Sequence, residues 1–205
     1  MKSEHIVFVV DDDASMREAL ANLMGSVGLP VECFASPVDF LRRRKTESPA
    51  CLILDVCMPG ASGLELQRRL AQGEYRIPII FISAHGDIPM AVRAIKGGAV
   101  EFLPKPFRDE DLLNAVWQAL DHDASTRAWR VESLRVRTLY KRLTARQCQI
   151  LDLIVEGRLN KQIAAQLGLS ENTVKVHRHR IMEKMGTSSV VRLAQMIERL
   201  LGHCP

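Results

Sequence analysis

Five short apolar runs punctuate the first half of the chain, at residues 6–10, 31–34, 51–54, 77–82 and 100–103. Each is bounded by Gly, Pro, Asp or Ser and is rich in β-branched residues, the pattern of a strand buried on both faces. Stretches of helical period lie between them. Met16, Leu20, Leu23, Met24 and Val27 form one apolar stripe, and Pro37 behind a Ser36 cap opens a second helix. Leu64, Leu66 and Leu70 mark a third helix. Ile88–Lys96, with Asp87 as its cap, is a fourth, and a fifth begins near Asp109. Doubly buried strands that alternate with helices imply a parallel sheet covered on both sides.

The expected fold of this half is therefore α/β, a five-stranded doubly wound parallel sheet of the flavodoxin-like type. Ligands in such sheets sit outside the carboxyl ends of the strands, where the strand order switches. With order 2-1-3-4-5, the first and third runs are neighbours. The first ends in Asp11, Asp12 and Asp13, the third in Asp55, and the fifth in Leu103-Pro104-Lys105-Pro106. Clustered carboxylates repel one another unless a cation neutralises them. Magnesium suits hard oxygen ligands, keeps some of its waters and shares phosphate oxygens. One carboxylate can then act as a nucleophile towards phosphorus, with the metal and Lys105 neutralising the phosphoryl oxygens. Asp13 reads as the cap of the next helix. For Asp11 and Asp12 alone, a solvated acidic loop is an equal reading. Asp55, at the end of an all-apolar run and combined with Lys105, carries the functional one. A metal-dependent phosphohydrolase built on Asp55 needs a second acid two residues on, and position 57 is Cys.

Charge separates the chain into two parts. Residues 1–123 carry 13 Lys/Arg against 18 Asp/Glu, a net of −5; residues 124–205 carry 15 against 6, a net of +9. The basic part favours a polyanion. The five cysteines are scattered and odd in number, without zinc-site spacing, so reduced thiols in a cytoplasmic protein are expected. No apolar run is long enough to span a bilayer, and no membrane partner is expected. From Asp109 to Tyr140 there is no Gly or Pro. That leaves one long helix or a short helix with a polar linker, and the lack of breakers favours the long helix. The expected domains are residues 1–122, a helical linker 123–139 and residues 140–205.

The last part reads as a small all-α domain of four helices. Thr144 and Gln147 form a capping box. Gly157, Gly168 and Gly186 fall where helices stop. Cys148, Ile150, Leu151 and Ile154 stripe the first helix, and residues 161–167 form the second. Gly168-Leu169-Ser170 is a turn, Glu171–Met185 the third helix and 190–201 the fourth. A short helix, a Gly-containing turn and a basic helix make a helix-turn-helix. The third helix sets Lys175, His177, Arg178, His179, Arg180 and Lys184 against an apolar face of Val174, Ile181 and Met185, a form suited to the major groove.

Two resemblances sharpen this reading. Val9-Val10-Asp11-Asp12, Leu54-Asp55-Val56-Cys57-Met58-Pro59-Gly60, Ile82-Ser83-Ala84 and Lys105-Pro106 resemble, in order and spacing, the signature set of response-regulator receivers, across residues 6 to about 122. The resemblance implies that Asp55 accepts phosphate from a sensor histidine kinase. It also implies that Asp12 and Asp55 ligate Mg2+ through carboxylates, Cys57 through its backbone carbonyl and Asp11 through water. Ser83, where many receivers have Thr, is the implied switch hydroxyl. Phe102 is the implied aromatic switch, without the phenolic OH of a Tyr. Lys105 pairs with the phosphate, and its bond to Pro106 is expected to be cis.

Leu143-Thr144-Ala145-Arg146-Gln147, Asn160-Lys161-Gln162-Ile163-Ala164, the run from Leu169 to His177, and Lys184-Met185 resemble the LuxR-type helix-turn-helix. Gln147 stands where Glu is usual. The combination is similar to the FixJ/NarL group of response regulators. It implies base contacts from Lys175, Val176 and His179, and phosphate contacts from Lys161, Thr173, Arg178 and Arg180. Lys184 is counted with the DNA-facing basic residues, and His177 is expected to pack against its neighbouring helix. The implied partners are promoter half-sites in double-stranded DNA, the kinase, RNA polymerase and a second copy of the phosphorylated chain. The implied function is a transcription factor, not an enzyme. Activation by dimerisation and by release of interdomain inhibition both stay open.

Overall fold

The computed structural model describes residues 5–44, 46–59, 61–73, 77–84 and 87–200. Gly60 of the third-strand motif, the last residue of the helix expected over 190–201, and the cysteine at position 204 lie outside them. The chain divides into two compact units, Met1–Arg127 and Ala128–Pro205.

The first unit alternates strands and helices: β1 Ile6–Val10, α1 Ala14–Ser26, β2 Val31–Phe34, α2 Pro37–Arg42 and β3 Ala50–Asp55. There follow β4 Cys57–Met58, β5 Ala61–Ser62, α3 Gly63–Ala71, β6 Ile79–Ser83, α4 Ile88–Lys96, β7 Glu101–Pro104 and α5 Asp109–Tyr140. The main sheet is parallel, in the order β2-β1-β3-β6-β7. It is the expected doubly wound arrangement. The short antiparallel ladder β4–β5 is an addition that the apolar pattern did not signal, since two residues cannot show a period.

Alternate strand residues feed two cores. Val7, Val9, Ile53, Ile80 and Ile82 pack with Leu20 and Met24 of α1 and with Leu112, Val116 and Leu120 of α5. Phe8, Val10, Leu52, Leu54 and Phe81 pack on the other face with Phe40, Leu66 and Ala94 from α2, α3 and α4. All six residues of β3 are buried. Each large aliphatic side chain so buried contributes about 1.5–3 kcal/mol, so the strand that ends in Asp55 is firmly anchored.

The second unit contains α6 Ala145–Val155, α7 Asn160–Leu167, α8 Glu171–Met185 and α9 Val190–Leu200. Its core joins Ile150, Leu151 and Ile154 to Ile163, Val174, Ile181, Met185 and Leu193. Val136, from the far end of α5, is fully buried in the same core. The stretch expected as linker, 123–139, is thus shared between the two units. Asp123 belongs to the first, where its carboxylate accepts the Ala50 N–H at 2.8 Å and Arg127 Nε at 2.6 Å. Among the described residues, no helix is long and apolar enough to cross a membrane.

Candidate functional site

The carboxyl ends of β1 and β3 lie side by side, because Val10 pairs with Leu54. Asp11 and Asp55, the next residues, are both buried. Lys105, just beyond β7, bridges them. Its Nζ donates to Asp11 Oδ2 and to Asp55 Oδ1, each at 2.9 Å. The remaining oxygens accept backbone amides: Asp13 N–H reaches Asp11 Oδ1 at 2.9 Å, and Cys57 N–H reaches Asp55 Oδ2 at 2.8 Å. Asp12 is exposed. Its carbonyl and that of Asp11 accept Arg17 Nη1 at 2.9 and 2.7 Å, which fixes the acidic turn. Asp13 caps α1 by accepting the Ser15 N–H.

Burial lifts the Asp55 carboxyl above the usual carboxylate range, although its hydrogen bond from Lys105 pulls the other way. Burial by itself would lower Lys105. Its bonds to Asp11 and Asp55 outweigh that, and the ammonium is held above its ordinary value. The pocket thus sets two buried carboxylates, with Asp12 exposed on the adjoining turn, against one ammonium, an excess of negative charge that a divalent cation would offset. Among the described residues no three acidic, His or Cys side chains converge tightly enough to hold a metal by themselves. This donor set fits magnesium, which keeps several waters, better than a cation that needs a closed protein cage.

Ser83 is fully buried at the end of β6, and its carbonyl accepts the Lys105 N–H at 2.8 Å. Asp55 pairs with Ile82, so Ser83 stands one step further on the adjacent strand. Phe102, half-buried on β7, packs in the α2–α4 core with its ring centroid 6.4 Å from that of Phe81. The Lys105–Pro106 bond is cis.

One participant escaped the sequence reading. Gly63 starts α3, and its N–H bonds to the Val56 carbonyl at 3.0 Å. A Cβ at this position would overlap the backbone oxygen of Asp55. A lone glycine at a helix start gave no sign of that close approach.

In the second unit, Gly168 ends α7 with φ +64°, a left-handed conformation that favours glycine. Ser170 then caps α8 by accepting the Thr173 N–H at 3.1 Å, and the two hydroxyls lie 2.8 Å apart. Val174, Ile181 and Met185 anchor α8 in the core, while Lys175, Val176, His179 and Arg180 are exposed. Val176 is 44% exposed, whereas the other apolar residues of α8 are buried or partly buried. Arg178 and Lys161 line one surface depression of about 450 Å3 together with Glu171. His177 is half-buried, with Nδ1 inside and unpartnered.

Lys184, counted with the DNA-facing basic residues, makes two bonds within the unit. Its Nζ donates to the Arg142 carbonyl at 2.9 Å and to Gln147 Oε1 at 2.8 Å. Gln147 also accepts the Thr144 N–H in the capping box. The ammonium thus ties α8 to the start of α6.

Residues 7–117, more than half of the chain, match the family of the response regulator receiver domain. The chain belongs to the response regulators. Residues 141–197 of this regulator match the luxR family of bacterial regulatory proteins. It is 49% identical to response regulator protein TmoT of Ectopseudomonas mendocina over 197 residues, covering 96% of this chain and 90% of that protein. Its identity to transcriptional regulatory protein FixJ of Rhizobium meliloti is 37% over 194 residues, 95% of each chain. Among solved structures, that of response regulator StyR superposes with a TM-score of 0.82 at 49% identity, covering 96% of this chain and 99% of that one. This regulator is a phosphorylation-controlled transcription factor with a receiver and a LuxR-type DNA-binding domain, a signalling protein rather than an enzyme. Its family works with a histidine kinase and with DNA, and receivers typically use Mg2+.

Proposed function

We propose that Asp55 is the phosphoacceptor and that its phosphorylation controls reading of promoter half-sites by α8. The observation that carries this is the Lys105 bridge to Asp55 and Asp11 at the strand ends. It supplies a nucleophile with a cation already beside it.

An Asp55 oxygen attacks the phosphorus of a kinase phosphohistidine. The P–N bond breaks as the acyl phosphate forms, and the imidazole leaves with the P–N electron pair. Asp12, Asp55, the Cys57 carbonyl and, through water, Asp11 would hold magnesium, which would supply positive charge against the phosphoryl oxygens. Lys105 exchanges its bond to Asp55 for one to the new dianion. The Ser83 hydroxyl turns to the phosphoryl group, and Phe102 moves into the space it leaves. These two side chains couple Asp55 to β6, α4 and β7 by a shift in population.

On the DNA side, Lys175, Val176 and His179 approach base edges. Val176 is suited to a thymine methyl group, and an exposed valine at that place supports the assignment. Lys161, Thr173, Arg178 and Arg180 take phosphates, which position rather than specify. Lys184 is assigned to holding α8 against α6. The α9 face with Val190 and Val191 exposed supports pairing with a second phosphorylated copy. The bound dimer recruits RNA polymerase and activates transcription.

A mobility-shift assay on a promoter fragment, with and without acetyl phosphate and Mg2+, tests the switch. Phosphorylated wild type should bind more tightly, and Asp55→Asn should show no response. Equal affinity for phosphorylated and unphosphorylated wild type overturns the proposal.

A further inference from the structure

The second unit contains a groove of about 360 Å3 between the later turns of α5 and the end of α9. That volume lies in the range of roughly 300–1,000 Å3 in which small-molecule sites fall. Trp129, Ser133 and Arg137 line it from one row of α5, spaced four residues apart, with Arg130 and Leu134 beside them; Arg199 and Leu200 close it from α9. None of these residues belongs to the phosphoacceptor pocket or to α8.

The chemistry of the lining is one-sided. Trp129 Nε1 and Ser133 Oγ are buried without a hydrogen-bond partner. Folded proteins leave few such atoms unsatisfied, and the indole N–H can only donate. Three guanidinium groups border the same space, and none of them pairs with a carboxylate among the described residues. Glu132, on the neighbouring face, is paired with Arg135. The lining holds no acidic side chain. Its apolar surface comes from Trp129, Leu134 and Leu200. Donors and positive charge around an apolar floor select a ligand with an anionic head and an apolar body.

We propose that this groove binds a small organic anion, a carboxylate carried on a short alkyl or aryl body, independently of Asp55. The carboxylate accepts from the arginines, and the apolar body lies along Trp129, Leu134 and Leu200.

The chain has two tryptophans, so a Trp117→Phe background makes Trp129 the sole indole reporter in the full-length protein. Hexanoate is the probe, with hexanol, inorganic phosphate and non-cognate duplex DNA as controls. The expected result is a saturable change in Trp129 emission with hexanoate but not with hexanol or phosphate, unchanged by Asp55→Asn. Arg130→Gln and Arg199→Gln, whose folding is checked by thermal melting, should each weaken the affinity about tenfold, the worth of one charge-assisted bond. A response shared by hexanol or phosphate overturns the proposal. So does a saturable response to DNA or to an acidic peptide without one to hexanoate, because the groove would then serve a macromolecule.

Discussion

Asp55, the proposed phosphoacceptor, sits where burial disfavours its charged form. Its carboxyl keeps its proton more tightly in the fold than in the unfolded chain, because burial disfavours the anion. In metal-free buffer the folded state therefore binds more protons in the window between the usual carboxylate pKa and the raised one, and wild type loses stability as pH rises through that window. Asn cannot ionise. The melting temperature of Asp55→Asn should rise relative to wild type as pH climbs above about 4, the usual carboxylate value, and level off once pH has passed the raised one. A difference constant across that range would count against the buried charge. Gly63 offers a second test. Its missing Cβ lets α3 approach the Asp55 carbonyl. Gly63→Ala should push the Asp55 loop away, slow labelling by acetyl phosphate and destabilise the receiver by about 1–3 kcal/mol, the cost of an overpacked site. Normal labelling and an unchanged melt would show that the loop yields freely. The candidate pocket residues Asp11, Asp55, Ser83 and Lys105 were legible in the sequence because each follows an apolar run. Gly63 was not, because close approach is a property of two segments rather than one.

At the scale of elements, side-chain caps and ties decide where each helix begins and what it holds. The Thr144–Gln147 capping box starts α6, and Gln147 also receives Lys184 from α8. Thr144→Ala should cost the DNA-binding unit about 1 kcal/mol, visible as a lower urea midpoint for that unit alone. The box was readable from spacing. The Lys184 tie was not, since a basic residue on a basic helix gives no local sign that its head group turns inward. Helix α5 is held differently along its length. Leu112, Val116 and Leu120 bury it in the receiver, and Asp123 and Arg127 extend that hold. Arg127 Nη1 donates to the Thr46 and Glu47 carbonyls at 3.2 and 3.1 Å. Asp123→Ala removes the acceptor of a buried β3 amide and should cost about 1–3 kcal/mol. Amide exchange should quicken at Ala50 and around residues 121–127. Unchanged protection there would show that the helix needs no such tie.

For the whole molecule, two units that each bury their own apolar residues imply two cooperative units. Calorimetry should resolve two transitions, and Mg2+ should raise only the one that Asp55→Asn also shifts. One transition that moves as a whole would mean that the units unfold together. Both units could be anticipated from the chain alone, since periodicity and charge are local properties that survive without coordinates. Five apolar runs dictated a parallel sheet, carboxylates at their ends dictated an acidic pocket, and the change from net −5 to net +9 separated the receiver from the DNA reader. Three-dimensional packing decided the rest. It set Lys105 between Asp11 and Asp55, turned Lys184 into the domain, and divided the expected linker by giving Asp123 to one core and Val136 to another. Each of these depends on which distant partner a side chain meets, and one-dimensional spacing does not encode that.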